Sequence, residues 1–548
     1  MSEDAGLSDQ VSRLCVEAFD RLPRKGRPAA DQWTVLAGFV LEDTAIKAKV
    51  PAMRVIALGS GTRALPRHLL PDGPPGLGTS SLAPGDLVLD MHAEVMARRS
   101  LVRFLLLELC HALGAPNPQA PDTPAPFDQP ILLRALKPDA QVSPFRWNAR
   151  YRLHFYVSQA PCGDCCVFPM AQGAEQLAID SDLIHFTDRR SDGPEPAPAN
   201  KRRRLEPEAS GARDPAQPAD PGGQTNKTGS KALPGAGDQD QFGEGVHVLQ
   251  PGILRTKPGR GPPTHTMSCS DKVAKWVALG PQGALLAAVL ERPVPIASIH
   301  IGEIFDDAAA NRALIGRVGA LRAGSHPTVH PAPMIFEHSL AAVTRASQPG
   351  TTVRKSEAAI GWNSHEPSVV CAIAQGVNLG ASLKKHPASK LRCSLSKVSL
   401  FALGAVILSH PSMESALPAA GRDLFRPLRT LWLAPVSPAE GLMHVPPTVG
   451  QAAGMAAKMP PTRTAPGIRY ADAKRLSAWY ADRRRALLSG PFLEWLGNGG
   501  ARLPSSPATV PPPRDLLSSV RLYARREPDD ASVQDDFLLH WPADKAGP

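Results

Sequence analysis

Residues 87–109 read LVLDMHAEVMARRSLVRFLLLEL, and this stretch decides the fold of the chain. It begins as an apolar, strand-like run and becomes helical at the histidine, with apolar residues recurring at helical spacing. His92 and Glu94 fall at the start of the predicted helix, where both side chains can approach one metal ion and its bound water. A lone His-x-Glu pair is usually a solvated helix face, so partners are needed elsewhere in the chain.

Cysteines supply those partners. Residues 151–164, YRLHFYVSQAPCGD, predict a strand that runs into a tight turn, and Cys162 and Cys165 complete a Pro-Cys-x-x-Cys pattern there. A later Ser-Cys-Ser-Asp segment supplies Cys269. Zinc-dependent nucleobase deaminases use one His, two Cys and a non-ligand Glu that moves protons. The pattern predicts His92 and Cys162 as ligands and Glu94 as the proton shuttle, and it leaves Cys165 and Cys269 open as the third ligand.

Composition limits the possible classes. The 548 residues are 43% hydrophobic, enough for a sizeable core, and the net charge of +10 suits a polyanionic partner. The N-terminus is polar and carries no secretory signal, and no apolar run reaches the roughly 18 residues that span a bilayer. We therefore expect an intracellular protein of the nucleus or cytoplasm, where clustered cysteines indicate metal binding rather than disulfides.

The chain divides into two ordered parts. We predict an N-terminal helix over 1–20, a first domain part over 21–189 and a second over 246–545. Residues 190–245 have almost no large apolar side chains and are predicted to be a disordered insertion. Its KRRR run (201–204) suits a nuclear signal, an RNA tether or a solvated charge run. We expect strands over 32–43, over 53–65 until Gly59 and Gly61 break it, and over 294–302, and a basic helix over 474–496.

The segments in order resemble the adenosine deaminase domain shared by double-stranded-RNA editing enzymes and tRNA adenosine deaminases. They are VLAGFV (35–40), GSGTR (59–63), DMHAEVMARRSLVRFLL (90–106), PCGD (161–164), LRTKPGRG (254–261), TMSCSDKVAKW (266–276), QGALL (282–286) and RALIGRV (312–318). The resemblance implies an α/β fold with a cytidine-deaminase-like core, a mixed β-sheet flanked by helices, and a C-terminal helical extension. It also implies hydrolytic conversion of adenosine to inosine in RNA, and it favours Cys269 as the third zinc ligand.

The resemblance further implies a structural inositol hexakisphosphate buried behind the zinc site. Two differences from the family, Leu89 and Ala284, would each remove a hydrogen bond to it. Asp90 and Lys257 match a relay between zinc and polyphosphate, while Val35, Thr62 and Arg63 match the substrate pocket. The residues matching the polyphosphate site are Val95, Arg98, Arg99, Lys272, Lys275, Lys397, Tyr470, Lys474, Tyr480 and Arg484.

Two features favour the tRNA branch of the family. About thirty residues precede the deaminase segments, too few for a double-stranded-RNA-binding domain. Pro262 stands near the position where editing enzymes carry a Glu that fills the vacated base position in a duplex, and an anticodon loop already presents unstacked bases. We expect tRNA as the partner, without DNA or membrane, and position 37 of alanine tRNA as the target. Editing of messenger or double-stranded RNA, an inactive RNA-binding module and a free cytidine deaminase are the alternatives.

Overall fold

A computed structural model describes the fold of this chain. The described residues are 3–46, 51–70, 85–113, 129–134, 145–169, 228–233, 241–243, 246–259, 261–321, 326–348, 351–381, 386, 388–413, 417, 421–423, 467–469, 476–489, 492 and 538–540.

Both helices and strands occur along the described chain. The α-helices are α1 (Glu3–Asp20), α2 (Ala93–Ala112), α3 (Cys269–Leu279), α4 (Gly283–Ala287), α5 (Asp307–Leu314), α6 (Leu340–Ala346), α7 (Ala388–Leu391), α8 (Lys397–Leu408) and α9 (Ala478–Ser489). The 3-10 turns are Arg67–Leu69, Asp164–Cys166, Gly316–Leu321 and Pro411–Met413. The strands are β1 (Gln32–Trp33), β2 (Leu36–Asp43), β3 (Ala52–Ser60), β4 (Thr62–Ala64), β5 (Asp90–His92), β6 (Leu132–Arg134), β7 (Phe145–Trp147), β8 (Tyr151–Gln159), β9 (Lys231–Ala232), β10 (Gln241–Gly243), β11 (Val246–Val248), β12 (Arg255–Thr256), β13 (Ser298–Glu303), β14 (Thr328–Pro331), β15 (Arg354–Lys355), β16 (Ala358–Asn363), β17 (Cys371–Ala374), β18 (Val377–Asn378), β19 (Gly467–Arg469) and β20 (Leu538–His540).

The centre of the fold is one mixed sheet of eight strands. Their order is β14-β13-β8-β2-β3-β16-β17-β18. The strands β14, β13 and β8 are mutually parallel, and every later pair in this order is antiparallel. The predicted α/β fold with a mixed sheet flanked by helices is therefore confirmed.

The central strand β2 is buried on both faces, and its side chains alternate between them. Leu36 and Val40 belong to the core cluster under α1, whereas Ala37, Phe39 and Leu41 belong to the cluster under α2. Successive side chains of a strand point to opposite faces, so a continuous apolar run can serve two helical layers. The sheet is therefore packed between α1 and α2, and α2 begins directly after β5.

Gly59 does not break the strand in which it lies. It was predicted to break the strand, but it lies inside β3, which continues to Ser60. A Cβ atom at Gly59 would collide with the backbone of α2 at Ala97 and Ala93. The glycine therefore permits close packing of α2 on the sheet, while Gly61, with φ of +138°, makes the break before β4.

The predicted disordered insertion, residues 190–245, includes strands near its C-terminal end. Strand β9 lies within residues 190–245 and pairs antiparallel with β12, and Ser230 and Leu233 beside it are buried. The β10–β11 hairpin also begins before residue 246. The prediction of disorder is wrong for these described residues, because β9 gains a strand partner that its local composition does not reveal. Residues 190–227 lie outside the described part of the chain.

Candidate active site and metal centre

The His92–Glu94 segment lies where β5 passes directly into α2. Strand β5 pairs with β4, which brings Thr62 opposite His92, and the N–H of Ala93 donates to the carbonyl of Gly61 at 2.9 Å. Glu94 is in the first turn of α2 and only 3% exposed. Burial raises the pKa of Glu94, with His92 opposing that shift. A buried carboxyl group with a raised pKa can both accept and return a proton near neutral pH.

The Cys162 turn follows the end of β8 and packs against the start of α3. Gly163 has a φ of +114°, and a Cβ atom there would collide with the side chain of Ser268. Ser268 caps α3 by accepting the N–H of Asp271, and the N–H of Ser270 donates to the carbonyl of Cys162 at 3.0 Å. Cys269 is the first residue of that helix. Tight backbone packing thus brings together two cysteines that are far apart in sequence.

His92, Cys162 and Cys269 form one cluster of possible metal ligands. One ligand atom from each residue lies within 4.8 Å of the other two. The sulfur of Cys269 is 3.5 Å from Nδ1 of His92, and the N–H of Cys269 points at the sulfur of Cys162 at 3.4 Å. A hydrogen bond from Cys269 and the charge of Lys257 lower the pKa of the Cys162 thiol. One nitrogen and two sulfur donors at this spacing fit a tetrahedral zinc site with one open position.

Cys165 does not join this cluster. Its backbone N–H donates to the hydroxyl of Ser270 at 3.0 Å, and its side chain is buried. Burial raises the pKa of the Cys165 thiol, but it also raises that of Cys269, so the choice between them depends on position: Cys165 is not a member of the ligand cluster. Among the described residues, the geometry therefore favours Cys269 over Cys165.

Asp90 and Lys257 form an ion pair beside the ligands, and Lys257 lines the same pocket as His92 and Cys162. The ammonium nitrogen of Lys257 is 2.8 Å from Oδ2 of Asp90 and 3.1 Å from the sulfur of Cys269, and Lys272 also pairs with Asp90. Burial alone would raise the pKa of Asp90, but the two ammonium groups outweigh it and lower the pKa. The Asp90 carboxylate also accepts the backbone N–H of His92 at 3.1 Å. The pair predicted as a relay is thus in direct contact with two of the candidate ligands.

A pocket opens in front of the cluster, and all three predicted substrate residues line it. Val35, Thr62 and Arg63 share its wall with His92 and Glu94. The hydroxyl of Thr62 is buried and has no hydrogen-bond partner within the described part of the chain. Arg63 instead donates to the carbonyls of Lys355 and Ser356, at 3.2 and 3.3 Å.

Other residues of this pocket were missed by the sequence analysis. Trp33, Cys166, Gly229 and Lys355 all line it. Lys355 reaches the site because β15 pairs with β1, and its ammonium lies 5.9 Å from the ring centroid of Trp33. Trp33 could have been suspected from its position next to Val35, but no sequence pattern indicates the other three.

The predicted polyphosphate residues lie on helices that pack together. Helix α2 contacts α3 and α8, and α3 contacts α9. The guanidinium of Arg98 lies over the ring of Trp276 at 5.8 Å, and Arg99 donates to the carbonyl of Leu395 at 2.8 Å. The other described members are Val95 on α2, Lys272 and Lys275 on α3, Lys397 on α8, and Tyr480 and Arg484 on α9. Tyr470 and Lys474 lie outside the described residues.

Comparisons with known proteins agree with this arrangement. A family model described as the adenosine-deaminase (editase) domain matches residues 57–421. Human tRNA-specific adenosine deaminase 1 is 30% identical over 482 residues, which cover 74% of this chain and 89% of that protein. The double-stranded RNA-specific editase of Drosophila melanogaster is 26% identical, covering 65% of this chain and 41% of that protein. The chain belongs to the adenosine-deaminase (editase) domain family.

No helix in the described part of the chain combines the length and the apolar character needed to cross a membrane.

Proposed function

We propose that this protein deaminates adenosine to inosine in tRNA, with position 37 of alanine tRNA as its target. The observation that carries the proposal is the opening of the His92, Cys162 and Glu94 side chains onto one pocket. Cys269 completes the ligand cluster from behind. The chain aligns with 89% of human tRNA-specific adenosine deaminase 1 but with 41% of the Drosophila melanogaster editase. This difference favours the tRNA branch of the family.

The donor set of His92, Cys162 and Cys269 fits zinc. Zinc is a borderline-soft ion, and deaminases bind it through cysteine sulfurs and a histidine imidazole. Zinc held there would lower the pKa of a bound water molecule towards roughly 7. Lys257 and the N-terminus of α3 would both stabilise the negative charge of the Cys269 sulfur.

Glu94 would carry the protons of the reaction. Its carboxylate accepts one proton as the water oxygen forms a bond to C6 of adenine and passes that proton to N1. It then takes the proton of the new C6 hydroxyl and gives it to the N6 amine, which leaves as ammonia when the C6–N6 bond breaks. Water and adenosine are consumed, and inosine and ammonia are released. Because Glu94 is buried at the pocket wall, bulk water competes little for these protons.

Thr62 and Val35 would position the nucleoside. The hydroxyl of Thr62 offers a buried hydrogen bond to a ribose hydroxyl, and Val35 offers an apolar surface to the base. Arg63 and Lys355 place positive charge at the same pocket, where a phosphate next to the target nucleotide would lie. Asp90 and Lys257 would connect this site to the polyphosphate behind it through Lys272.

We further propose that inositol hexakisphosphate is bound among α2, α3, α8 and α9. Several cationic side chains lie on these packed helices, and an anion bound among them would offset their mutual repulsion. Arg483 on α9 adds to the predicted set, because its Nη1 atom is buried with no hydrogen-bond partner within the described residues. Acid extraction of purified protein followed by mass spectrometry of the supernatant would test for the polyphosphate.

Editing of duplex RNA is the second candidate. Pro262 lines the pocket and has no hydrogen-bonding side chain that could replace an extruded base. To separate the two functions, purified zinc-loaded protein is incubated with alanine tRNA or with a perfect RNA duplex. Sequencing should show adenosine-to-guanosine changes at position 37 of the tRNA only. Conversion of the duplex alone, or of neither substrate, would contradict the proposal.

A further inference from the structure

Both candidate cysteine ligands are followed two residues later by a buried aspartate. Asp164 follows Cys162 and Asp271 follows Cys269, and both carboxylates are fully buried. Neither aspartate is a member of the ligand cluster. Two buried carboxylates close to a metal site need cations, and the chain supplies them from one segment, α5 and the 3-10 turn after it.

Arg312, near the end of α5, holds the Cys162 turn. Its guanidinium donates to both carboxylate oxygens of Asp164 at 3.3–3.4 Å, and to the backbone carbonyls of Asp164 and Val167 at 3.0 and 2.6 Å. Asp164 also accepts the N–H of Gly252 at 2.7 Å. Arg312 therefore ties the carboxylate and the backbone of the turn to α5.

Arg317, in the 3-10 turn, joins the two cysteine segments. Its Nη1 atom donates to Oδ1 of Asp271 at 2.8 Å, and its Nε atom is 3.8 Å from Oδ2 of Asp164. The Arg317 side chain is 9% exposed, and its guanidinium lies 5.4 Å from the ring centroid of Phe492. One guanidinium group thus contacts both aspartates.

Asp271 connects Arg317 to the start of α3 through hydrogen bonds. Its second carboxylate oxygen accepts the Ser268 hydroxyl at 2.6 Å and the N–H of Arg255 at 3.0 Å. Ser268 directly precedes Cys269 and caps the helix. The orientation of Cys269 therefore depends on a chain of bonds that begins at Arg317.

We infer that Arg317, supported by Arg312, is a positioning residue that sets the separation between Cys162 and Cys269 and so tunes metal affinity. The inference rests on the proposed metal site. Without the Arg317 guanidinium, Arg312 still pairs with Asp164, but the buried carboxylate of Asp271 keeps no cationic partner among the described residues. The uncompensated charge would displace the start of α3 and with it Cys269 relative to Cys162. Loss of an outer partner that orients a metal ligand weakens binding by about 10- to 100-fold.

The test compares zinc affinities of full-length variants by competition with a colorimetric chelator. We expect Arg317→Met to weaken zinc binding 10- to 100-fold, and Arg317→Lys to restore most of it. In the cobalt-substituted protein, the sulfur-to-cobalt charge-transfer band should shift or weaken in Arg317→Met. The matched control is Arg103→Met, which breaks an equally buried pair with Glu366, with side chains 12% and 1% exposed. It should lower stability but leave zinc affinity within about threefold of wild type.

The outcomes separate this inference from the proposed function. If wild-type protein binds no zinc, the proposed metal site is wrong. If wild type binds zinc and folded Arg317→Met binds it equally well, the positioning role is refuted. Equal loss of affinity in Arg317→Met and Arg103→Met would also refute it, because a general stability effect would then explain both. If Arg317→Met does not fold, Arg317→Gln and Arg312→Gln are measured instead, and wild-type affinity in both would overturn the inference.

Discussion

The ammonium nitrogen of Lys257 lies 2.8 Å from Oδ2 of Asp90, and the two side chains are 1% and 5% exposed. Replacing Lys257 with Met removes one partner of a buried ion pair and leaves Asp90 with Lys272 alone. Because the buried Asp90 carboxylate keeps only one of its two cations, we expect the free energy of unfolding to fall by about 1–3 kcal/mol. Urea denaturation would measure it. The control Arg13→Met breaks an exposed pair with Asp9 and should cost less than about 1 kcal/mol; equal losses would contradict the prediction.

Glu94→Gln should retain zinc and lose deamination. The amide keeps the shape of the buried side chain but cannot accept the proton of the attacking water. Loss of general acid–base catalysis lowers kcat by at least about 10²- to 10⁴-fold. Inosine formation in single-turnover assays and zinc content by atomic absorption would be measured on the same preparation. Activity within tenfold of wild type would exclude Glu94 as the proton shuttle.

The third ligand can be tested with two cysteine variants. Cys269→Ser should lose bound zinc, since its sulfur lies 3.5 Å from Nδ1 of His92, whereas Cys165→Ser should retain it. The metal content of each purified protein after dialysis against a weak chelator is the measurement. The reverse pattern would assign the site to the Pro-Cys-x-x-Cys turn.

Thr62→Val tests the unpartnered hydroxyl of the pocket. Valine has nearly the same shape, and the lost hydroxyl has no hydrogen-bond partner among the described residues, so stability should stay close to wild type. A hydrogen bond to substrate is worth about 0.5–1.5 kcal/mol, so kcat/KM for tRNA should fall about 2- to 10-fold. Thr44→Val, whose hydroxyl bonds the carbonyl of Arg150, is the control and should leave kcat/KM unchanged. A comparable fall in both variants would argue against a substrate contact.

Because His300 is buried, we expect the protein to lose stability in acid. Burial, followed by the charges of His154 and His330, lowers the pKa of His300 to about 3, against about 6.5 in an unfolded chain. Between these values the unfolded state binds a proton that the folded state does not. The free energy of unfolding is therefore not reduced by His300 above pH 6.5. It falls as the pH drops from 6.5 towards 3, by up to about 1.4 kcal/mol per pH unit.

The variant His300→Asn isolates that contribution. Its free energy of unfolding should fall less steeply than that of wild type between pH 6.5 and pH 4, in urea denaturation at each pH. His68→Asn, which changes an exposed histidine, should follow wild type throughout. Parallel curves for His300→Asn and wild type would contradict the prediction.

Much of the local structure could be predicted because it depends on short-range patterns. The transition from strand to helix at His92 follows from periodicity, and the structure has β5 and α2 meeting there. Gly59 was misread because glycine breaks strands in isolation, whereas here the packing of α2 requires it. The strand β9 was missed because its two residues pair with a partner far along the chain.

The sequence alone determined which side chains could hold a metal and move a proton: one His-x-Glu pair and three candidate cysteines. Those identities are local, and the chemistry of imidazole, thiolate and carboxylate does not depend on the fold. The sequence pattern left Cys165 and Cys269 open, and the tertiary structure groups Cys269 with His92 and Cys162, because that grouping depends on a distance between segments more than a hundred residues apart. The tertiary structure also brought Lys355 and Gly229 to the pocket and joined Asp164 to Asp271 through Arg317. Such contacts arise from the packing of the sheet and its helices, which leaves no periodic pattern in the chain.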